Sequence, residues 1–219
     1  SSDRGSVIAF FNETQKDQPK NNLYYQALNY VGGAYKNLKN YEKANATFAQ
    51  VFTLSKPLMP SALFDYKPLD AAAFKASLSQ ASNQNTKEAL YALQGYYTNE
   101  FSAMQDLYKL NPNSPHIDFL LSRWVNIKEQ SINIYTEYEK LDIDAKKIKK
   151  DLKDKVVASE LKWINEVASD SKVHNPYIWK ATAAYFNSLA GDYSKADNLL
   201  KSAHTLAENS NQKGQVRSL

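Results

Sequence analysis

Apolar side chains recur at intervals of three and four residues along most of the chain, the spacing that puts them on one face of an α-helix. The stripe is well formed in residues 22–38 and again in residues 41–54, with a short polar break between them. Pro57 and Pro60 then interrupt it, so we expect a connector at that point. The pattern predicts two helices joined by a short turn.

The same periodicity continues through the rest of the chain, separated by breaks that are rich in Asn, Pro, Gly or Ser. No segment shows the alternation of period two that a half-buried strand requires. Six glycines and seven prolines are also few for an all-β protein. The sequence therefore predicts an all-α fold. Further helices are expected over residues 69–81, 86–97, 99–110, 117–141, 147–169, 177–190 and 193–208.

Residues 25–57 carry small and aromatic side chains at positions typical of a helical repeat. Gly32 and Tyr35 lie in the first predicted helix, and Ala44 and Phe48 lie in the second. These positions resemble the tetratricopeptide repeat, a helix–turn–helix unit of about 34 residues. The resemblance implies that Gly32 and Ala44 allow the two helices to approach closely, while the aromatic rings fill the space around them.

Two further copies resemble the same unit, in residues 81–112 and 177–210. In the second copy Glu100 stands where the small alanine belongs, so either the helices are further apart there or the frame is shifted. In the third copy Asn187 replaces the aromatic residue of the first helix. Because the copies are unevenly spaced, the resemblance implies an irregular hairpin solenoid, a right-handed superhelix with longer inserted helices, in one domain over residues 1–219.

The resemblance also implies where a partner would bind, since the first helices of successive repeats line a concave groove in this family. A groove rich in asparagine suits an extended peptide bound through its backbone. Carried over position by position, the groove residues are Gln26, Asn29, Gly33, Lys36 and Asn37 in the first copy, Asn85 and Ala89 in the second, and Ile178, Ala181, Tyr185 and Ser188 in the third.

Residues that could carry chemistry are scattered along the chain. His116, His174 and His204 are far apart, although metal sites usually need ligands paired on one turn or loop. The chain has no cysteine, no glycine-rich phosphate loop and no nucleophile elbow. We therefore expect a non-enzymatic scaffold for a protein or peptide partner, with no catalytic residue, metal or cofactor.

The net charge of +4 comes from one short run. Residues 146–155 hold six lysines and two aspartates, and the remaining 21 basic and 21 acidic residues balance. Such a run is usually a solvated helix face. The alternative is a surface for nucleic acid or another acidic partner, although the run has no arginine or interleaved aromatic residue for specific nucleic-acid recognition.

A second alternative is a carbohydrate-binding relative of the SusD-like outer-membrane nutrient binders, which also carry tetratricopeptide hairpins. Fifteen tyrosines and three tryptophans are candidate stacking platforms, although most fall on apolar stripes and are expected in the core. The irregular repeats and the absence of cysteine resemble exported repeat proteins of Bacteroidetes-type bacteria. A periplasmic or outer-membrane-associated location is therefore favoured over the cytoplasm.

Three smaller expectations complete the sequence reading. The chain ends without a capping pattern, which suggests a piece of a longer protein. No apolar run approaches the roughly 18 residues of a membrane span. Asn12 and Asn45 begin matches to the glycosylation pattern, and both are interpreted as chance matches because Asn45 lies within a predicted helix.

Overall fold

The chain folds into helices joined by short turns. The computed structural model describes residues 3–132 and 145–217, and no strand occurs within these ranges. The predicted all-α fold is confirmed, while the solenoid form of the fold stays a prediction. The α-helices of the described residues are α1 Arg4–Thr14, α2 Asn22–Asn37, α3 Tyr41–Leu54, α4 Met59–Asp65, α5 Ala71–Gln80, α6 Gln84–Tyr97, α7 Glu100–Leu110, α8 Pro115–Ile132, α9 Ala145–Asp154, α10 Ala158–Ala168, α11 Pro176–Leu189, α12 Tyr193–Leu206 and α13 Ser210–Arg217.

The helices form two compact units. Unit 1 is Ser1–Asn111 and contains α1 to α7, and unit 2 is Pro112–Leu219 and contains α8 to α13. Unit 1 includes the first two predicted hairpins, α2–α3 and α6–α7, and unit 2 includes the third, α11–α12. The prediction of a single domain over residues 1–219 stays a prediction.

The first and third hairpins share one turn geometry. In each, the residue before the cap of the second helix is left-handed, with φ of 61° at Lys39 and 88° at Gly191. The following cap, Asn40 or Asp192, accepts a hydrogen bond from the backbone N–H three residues later, at 3.2 and 3.1 Å. The two units therefore contain the same local helix–turn–helix structure, as the repeat pattern predicts.

These caps also resolve the position of Glu100 in the second hairpin. The cap of α7 is Asn99, so Glu100 is the first residue of the helix. The frame that puts Glu100 at the small position is shifted by three residues. In each hairpin the carbonyl of the cap accepts a hydrogen bond from an alanine N–H four residues later, at 3.0 Å for Ala44, 3.1 Å for Ala103 and 3.0 Å for Ala196.

Much of the asparagine in unit 1 serves to begin helices. The side chains of Asn21, Asn40, Asn83 and Asn99 accept hydrogen bonds from the third residue of α2, α3, α6 and α7, at 3.1, 3.2, 2.9 and 2.8 Å. A cap of this kind contributes about 1 kcal/mol by pairing a backbone N–H that the helix leaves open. Short helices are thereby fixed at their first residue.

The first hairpin packs as its small residues predict. A Cβ atom added to Gly32 would lie 2.6 Å from Cε1 and 2.8 Å from Cδ1 of Phe48. Phe48 is completely buried, and Ala44 is almost so. Gly32 is therefore required for the close contact between α2 and α3.

Two sequence-based boundaries need correction. The helix predicted over residues 147–169 is two helices, α9 and α10, because the chain makes a tight turn after α9. There the N–H groups of Lys155 and Val156 bond to carbonyls three residues back, and Val157 is extended. Adjacent β-branched residues have low helix propensity, which favours a break at this point.

The predicted connector after Pro57 is also more ordered than expected, because it contains the short helix α4. Helices α1 and α13 were not expected from the periodicity. Of the helix predicted over residues 117–141, the part up to Ile132 is confirmed, and the rest lies outside the described residues.

Candidate functional site

A cleft of about 310 Å³ lies between α8 and α11 in unit 2, with α13 at its side. Its floor is apolar, and Ser122, Asn126 and Glu129 of α8 form an exposed polar rim. These three side chains are spaced by four and three residues, so they lie along one face of α8. We call this surface the α8–α11 cleft. Its lining residues are Leu121, Ser122, Val125, Asn126, Glu129, Tyr177, Ile178, Ala181, Thr182, Gln215 and Val216.

Contacts on each side of the cleft fix its walls. The rings of Trp124 on α8 and Phe186 on α11 have centroids 4.7 Å apart, and both residues are buried. Tyr177 of α11 donates a hydrogen bond of 2.8 Å from its hydroxyl to Oε1 of Gln215 on α13. The cleft is therefore formed by packed helices and not by a loop.

A polar clasp joins the start of α11 to α8. Nδ1 of His174 lies 2.6 Å from Oδ2 of Asp118, and Nδ2 of Asn175 donates to the same oxygen at 2.7 Å. Burial raises the pKa of Asp118, and the hydrogen bonds from His174 and Asn175 act in the opposite direction. Asn175 also has φ of 48°, a left-handed conformation that asparagine tolerates better than most residues. We interpret the clasp as structural, because Oδ2 of Asp118 is already hydrogen-bonded by His174 and Asn175 of the same chain.

Acidic groups around the cleft affect the pKa values of two tyrosines. The pKa of Tyr177 is raised by burial and, to a smaller extent, by the charge of Asp118. The pKa of Tyr185 is raised by burial and then by the charge of Glu129. Asp118 and Glu129 thus act on these two tyrosines, and Glu129 is the charged side chain among the described residues that line the cleft.

The predicted groove residues of the third hairpin are divided by this geometry. Ile178 and Ala181 line the cleft, and Tyr185 lies close enough to Glu129 for its pKa to respond. Ser188 is exposed but is not part of the lining. Two of the four predicted residues thus line the cleft, their role in binding stays a prediction, and α8 and α13, which complete the cleft, carry no repeat motif.

Two of the five predicted groove residues of the first hairpin contact the connector that follows it along the chain. Nδ2 of Asn29 donates to Oγ of Ser61 at 3.0 Å, and Nζ of Lys36 lies 3.3 Å from Oδ1 of Asp65. Both partners belong to α4. Gly33 has open space where a Cβ would stand. Exposed side chains remain at Gln26 and Asn37.

The second hairpin contributes little accessible surface at its predicted positions. Asn85 is exposed near the start of α6, and Ala89 is completely buried. Asn85 is thus the one residue of this pair whose side chain a partner could contact.

Unit 1 contains a groove that is more apolar than the α8–α11 cleft of unit 2 and that was not predicted from the sequence. A cavity of about 490 Å³ lies between α1 and α2, and Phe10, Leu23 and Tyr30 in its lining are 67%, 72% and 75% exposed. The groove depends on α1, whose pattern was not recognised as helical. We call it the α1–α2 groove.

The three histidines have different surroundings in the fold. His116 is buried near the start of α8, His174 belongs to the clasp, and His204 is half-buried on α12. Across the part of the chain that the structure describes, no group of three His, Cys, Asp or Glu side chains could hold a metal ion. Within the same residues, no helix has the length and apolar character needed to cross a bilayer.

Comparison of the chain with protein-family models, with curated proteins and with solved structures gives no significant match. The likeness to tetratricopeptide repeats therefore rests on the small, aromatic and capping positions of the hairpins.

Proposed function

We propose that this chain is a non-enzymatic helical scaffold that binds a peptide segment of a protein partner in the α8–α11 cleft. The observation that supports this most is the cleft itself, which has an apolar floor, a polar rim and two residues, Ile178 and Ala181, at predicted groove positions. Its walls are helices held by buried contacts, so the site exists without the partner.

The size and charge of the cleft suggest the kind of peptide. A volume of about 310 Å³ is near the lower end for ligand pockets, so it suits one or two apolar side chains better than a large cofactor. Glu129 at the rim favours a lysine or arginine next to the apolar anchor. We therefore expect a short motif in which an apolar residue is followed or preceded by a basic one.

Selection of a displayed random-peptide library against the full chain tests this proposal. The expected peptides share an apolar anchor beside a basic residue, and their dissociation constants are then measured by fluorescence anisotropy. Asn126→Trp would fill the cleft from its rim and should weaken binding at least about tenfold, since an anchor side chain carries much of the energy of such contacts. Glu129→Gln should weaken it less and reduce its dependence on salt.

The matched control is Asn198→Trp, the same change at an exposed position of α12 outside the cleft. It should bind the selected peptides like the wild type. Peptides that bind Asn126→Trp and wild type equally would reject the cleft. If Tyr30→Ser in the α1–α2 groove abolishes binding instead, the scaffold proposal survives and the proposed site is wrong. A library that yields no binder would reject short linear peptides as the ligand.

The carbohydrate-binding alternative has a narrower basis. Tyr30 and Tyr193 are 75% and 55% exposed and could stack on a sugar ring, whereas Phe48, Trp124 and Trp179 are buried. A glycan array probed with wild type and with Tyr30→Ala would test it, and an array without hits would count against it.

A further inference from the structure

Four lysines of the lysine run lie along one face of helix α9. Lys146, Lys149, Lys150 and Lys153 lie in α9 at relative positions 0, 3, 4 and 7, which places them on the same side of the helix. All four residues are exposed. We call these four residues the lysine face.

The rest of α9 holds this face outwards. Ile148 and Leu152 are half-buried and lie on another side of the helix. Nζ of Lys149 lies 5.8 Å from the ring centroid of Tyr193, the first residue of α12. One side of α9 therefore packs against the rest of unit 2, and the lysine face is exposed to solvent.

Three cations of the lysine face have no carboxylate partner within residues 3–132 and 145–217. Lys149, Lys150 and Lys153 form no ion pair with any described residue. Lys128 and Lys201, by contrast, pair with Glu160 and Asp197 at 2.6 and 2.5 Å. A concentration of unneutralised charge on one exposed helix face attracts a polyanionic partner.

We propose that the lysine face binds the surface of an anionic phospholipid bilayer. The ammonium groups of Lys149, Lys150 and Lys153 on a convex helix can meet a flat layer of phosphate headgroups at the same time. Tyr193, which is 55% exposed and contacts Lys149 of the face, supplies an aromatic side chain of the kind found at headgroup depth. This surface is distinct from the α8–α11 cleft and does not depend on the peptide proposal.

Nucleic acid is the less suitable partner for the same surface. The described residues 145–157 have no arginine for bidentate contact with phosphate or guanine, and Tyr193 beside the face is one ring, whereas nucleic-acid grooves stack successive bases on several. The bilayer contact is electrostatic and reversible, because Ile148 and Leu152 already face the protein and are not available for deep insertion.

Co-sedimentation of the full chain with vesicles tests the proposal. The vesicles contain either phosphatidylcholine alone or phosphatidylcholine and phosphatidylglycerol in roughly equal parts. Binding is expected only to the anionic vesicles and should weaken as salt is raised. The variant Lys149→Gln, Lys150→Gln, Lys153→Gln should reduce the partition coefficient about a hundredfold, at about fivefold for each lysine near the surface.

The control variant is Lys16→Gln, Lys56→Gln, Lys75→Gln, which removes the same charge from exposed positions outside the lysine face. It should bind like the wild type within about twofold, and far-ultraviolet circular dichroism should show both variants folded. Equal losses in the two variants, or no binding to anionic vesicles at low salt, would overturn the proposal. Tighter, lysine-face-dependent binding to duplex DNA than to vesicles would also overturn it in favour of nucleic acid.

Discussion

The α2–α3 hairpin of unit 1 and the α11–α12 hairpin of unit 2 have the same turn and different surfaces. On α2, the predicted groove residues Asn29 and Lys36 contact α4, a helix of the chain's own connector. On α11, Ile178 and Ala181 line a cleft with open volume. The predicted groove positions of α2 are thus bonded to another helix of the chain, whereas those of α11 lie in the floor of a cleft, where Ala181 is buried and Ile178 is half-buried.

The connector between α3 and α5 contains α4, the helix that contacts the predicted groove residues of α2. This connector is hydrogen-bonded to α3 and α6 at several points. Asn45 exchanges two hydrogen bonds with the backbone of Lys67, and Gln94 exchanges two with the backbone of Leu69. The hydroxyl of Tyr97 also donates to the carbonyl of Leu63 at 2.7 Å. In the first hairpin, the segment that follows α3 along the chain contacts the predicted groove residues Asn29 and Lys36. The hairpin motif alone therefore does not determine whether its face is open to a partner.

The largest effect on the free energy of unfolding is expected from Asn45→Ala. Asn45 is completely buried, and its amide donates to Lys67 O at 2.7 Å and accepts from Lys67 N at 3.1 Å. Losing both bonds should lower the free energy of unfolding by about 2–3 kcal/mol, measured by urea denaturation. Thr47→Ala removes the same glycosylation pattern and is the control, with an expected loss below about 1 kcal/mol. Equal losses would show that the two hydrogen bonds between Asn45 and Lys67 add nothing to stability.

A smaller effect with opposite signs is expected at two adjacent glycines of α2. Gly32→Ala should lower the free energy of unfolding by about 1–2 kcal/mol, because its Cβ would meet the buried ring of Phe48 at 2.6 Å. Gly33→Ala meets no atom within 4 Å and should raise the free energy by about 0.5–1 kcal/mol through helix propensity. Thermal unfolding of both variants tests the pair, and a stabilising Gly32→Ala would contradict the packing.

Two double variants test whether the predicted groove face of α2 is bonded to the rest of the chain more strongly than the rim of the α8–α11 cleft. Asn29→Ala with Lys36→Ala should lower the free energy of unfolding by about 1 kcal/mol, since it removes a part-buried hydrogen bond and a half-exposed ion pair to α4. Asn126→Ala with Glu129→Ala at the rim of the cleft should change it by less than about 0.5 kcal/mol. Denaturant unfolding distinguishes the two, and equal changes would mean that the two faces do not differ as described.

The smallest effect is a pH dependence from the clasp of unit 2. Burial raises the pKa of Asp118 above its unfolded value, so the folded state holds the proton more tightly. Its contribution to stability is therefore full below the unfolded pKa of about 3.9 and decreases as pH rises through the folded pKa. The groups facing it are His174, Asn175 and Tyr177.

Asp118→Asn should remove this decrease, and His174→Ala should steepen it, because the hydrogen bond from His174 lowers the pKa of Asp118. Urea unfolding of wild type and both variants between acidic and neutral pH measures the slope. A wild-type advantage that grows with rising pH would show the opposite sign and contradict the burial effect.

Most helices, the three hairpins and the packing residues of the first hairpin could be predicted from the sequence. Periodicity of three and four follows from helix geometry, and Gly32, Ala44 and Phe48 have the sizes that a close crossing needs. These properties are local, because they depend on residues within one hairpin. The break between α9 and α10 and the first helix α1 were missed, since their apolar pattern is weak or continuous across the boundary.

The accessibility of the predicted groove residues depends on contacts between distant parts of the chain. Asn29 and Lys36 have polar side chains suited to a partner, yet Ser61 and Asp65 reach them from about thirty residues away along the chain. The α8–α11 cleft likewise needs Ser122, Asn126 and Glu129 from a helix without a repeat motif. Such contacts depend on how distant segments pack, and residue spacing within a hairpin carries no information about them.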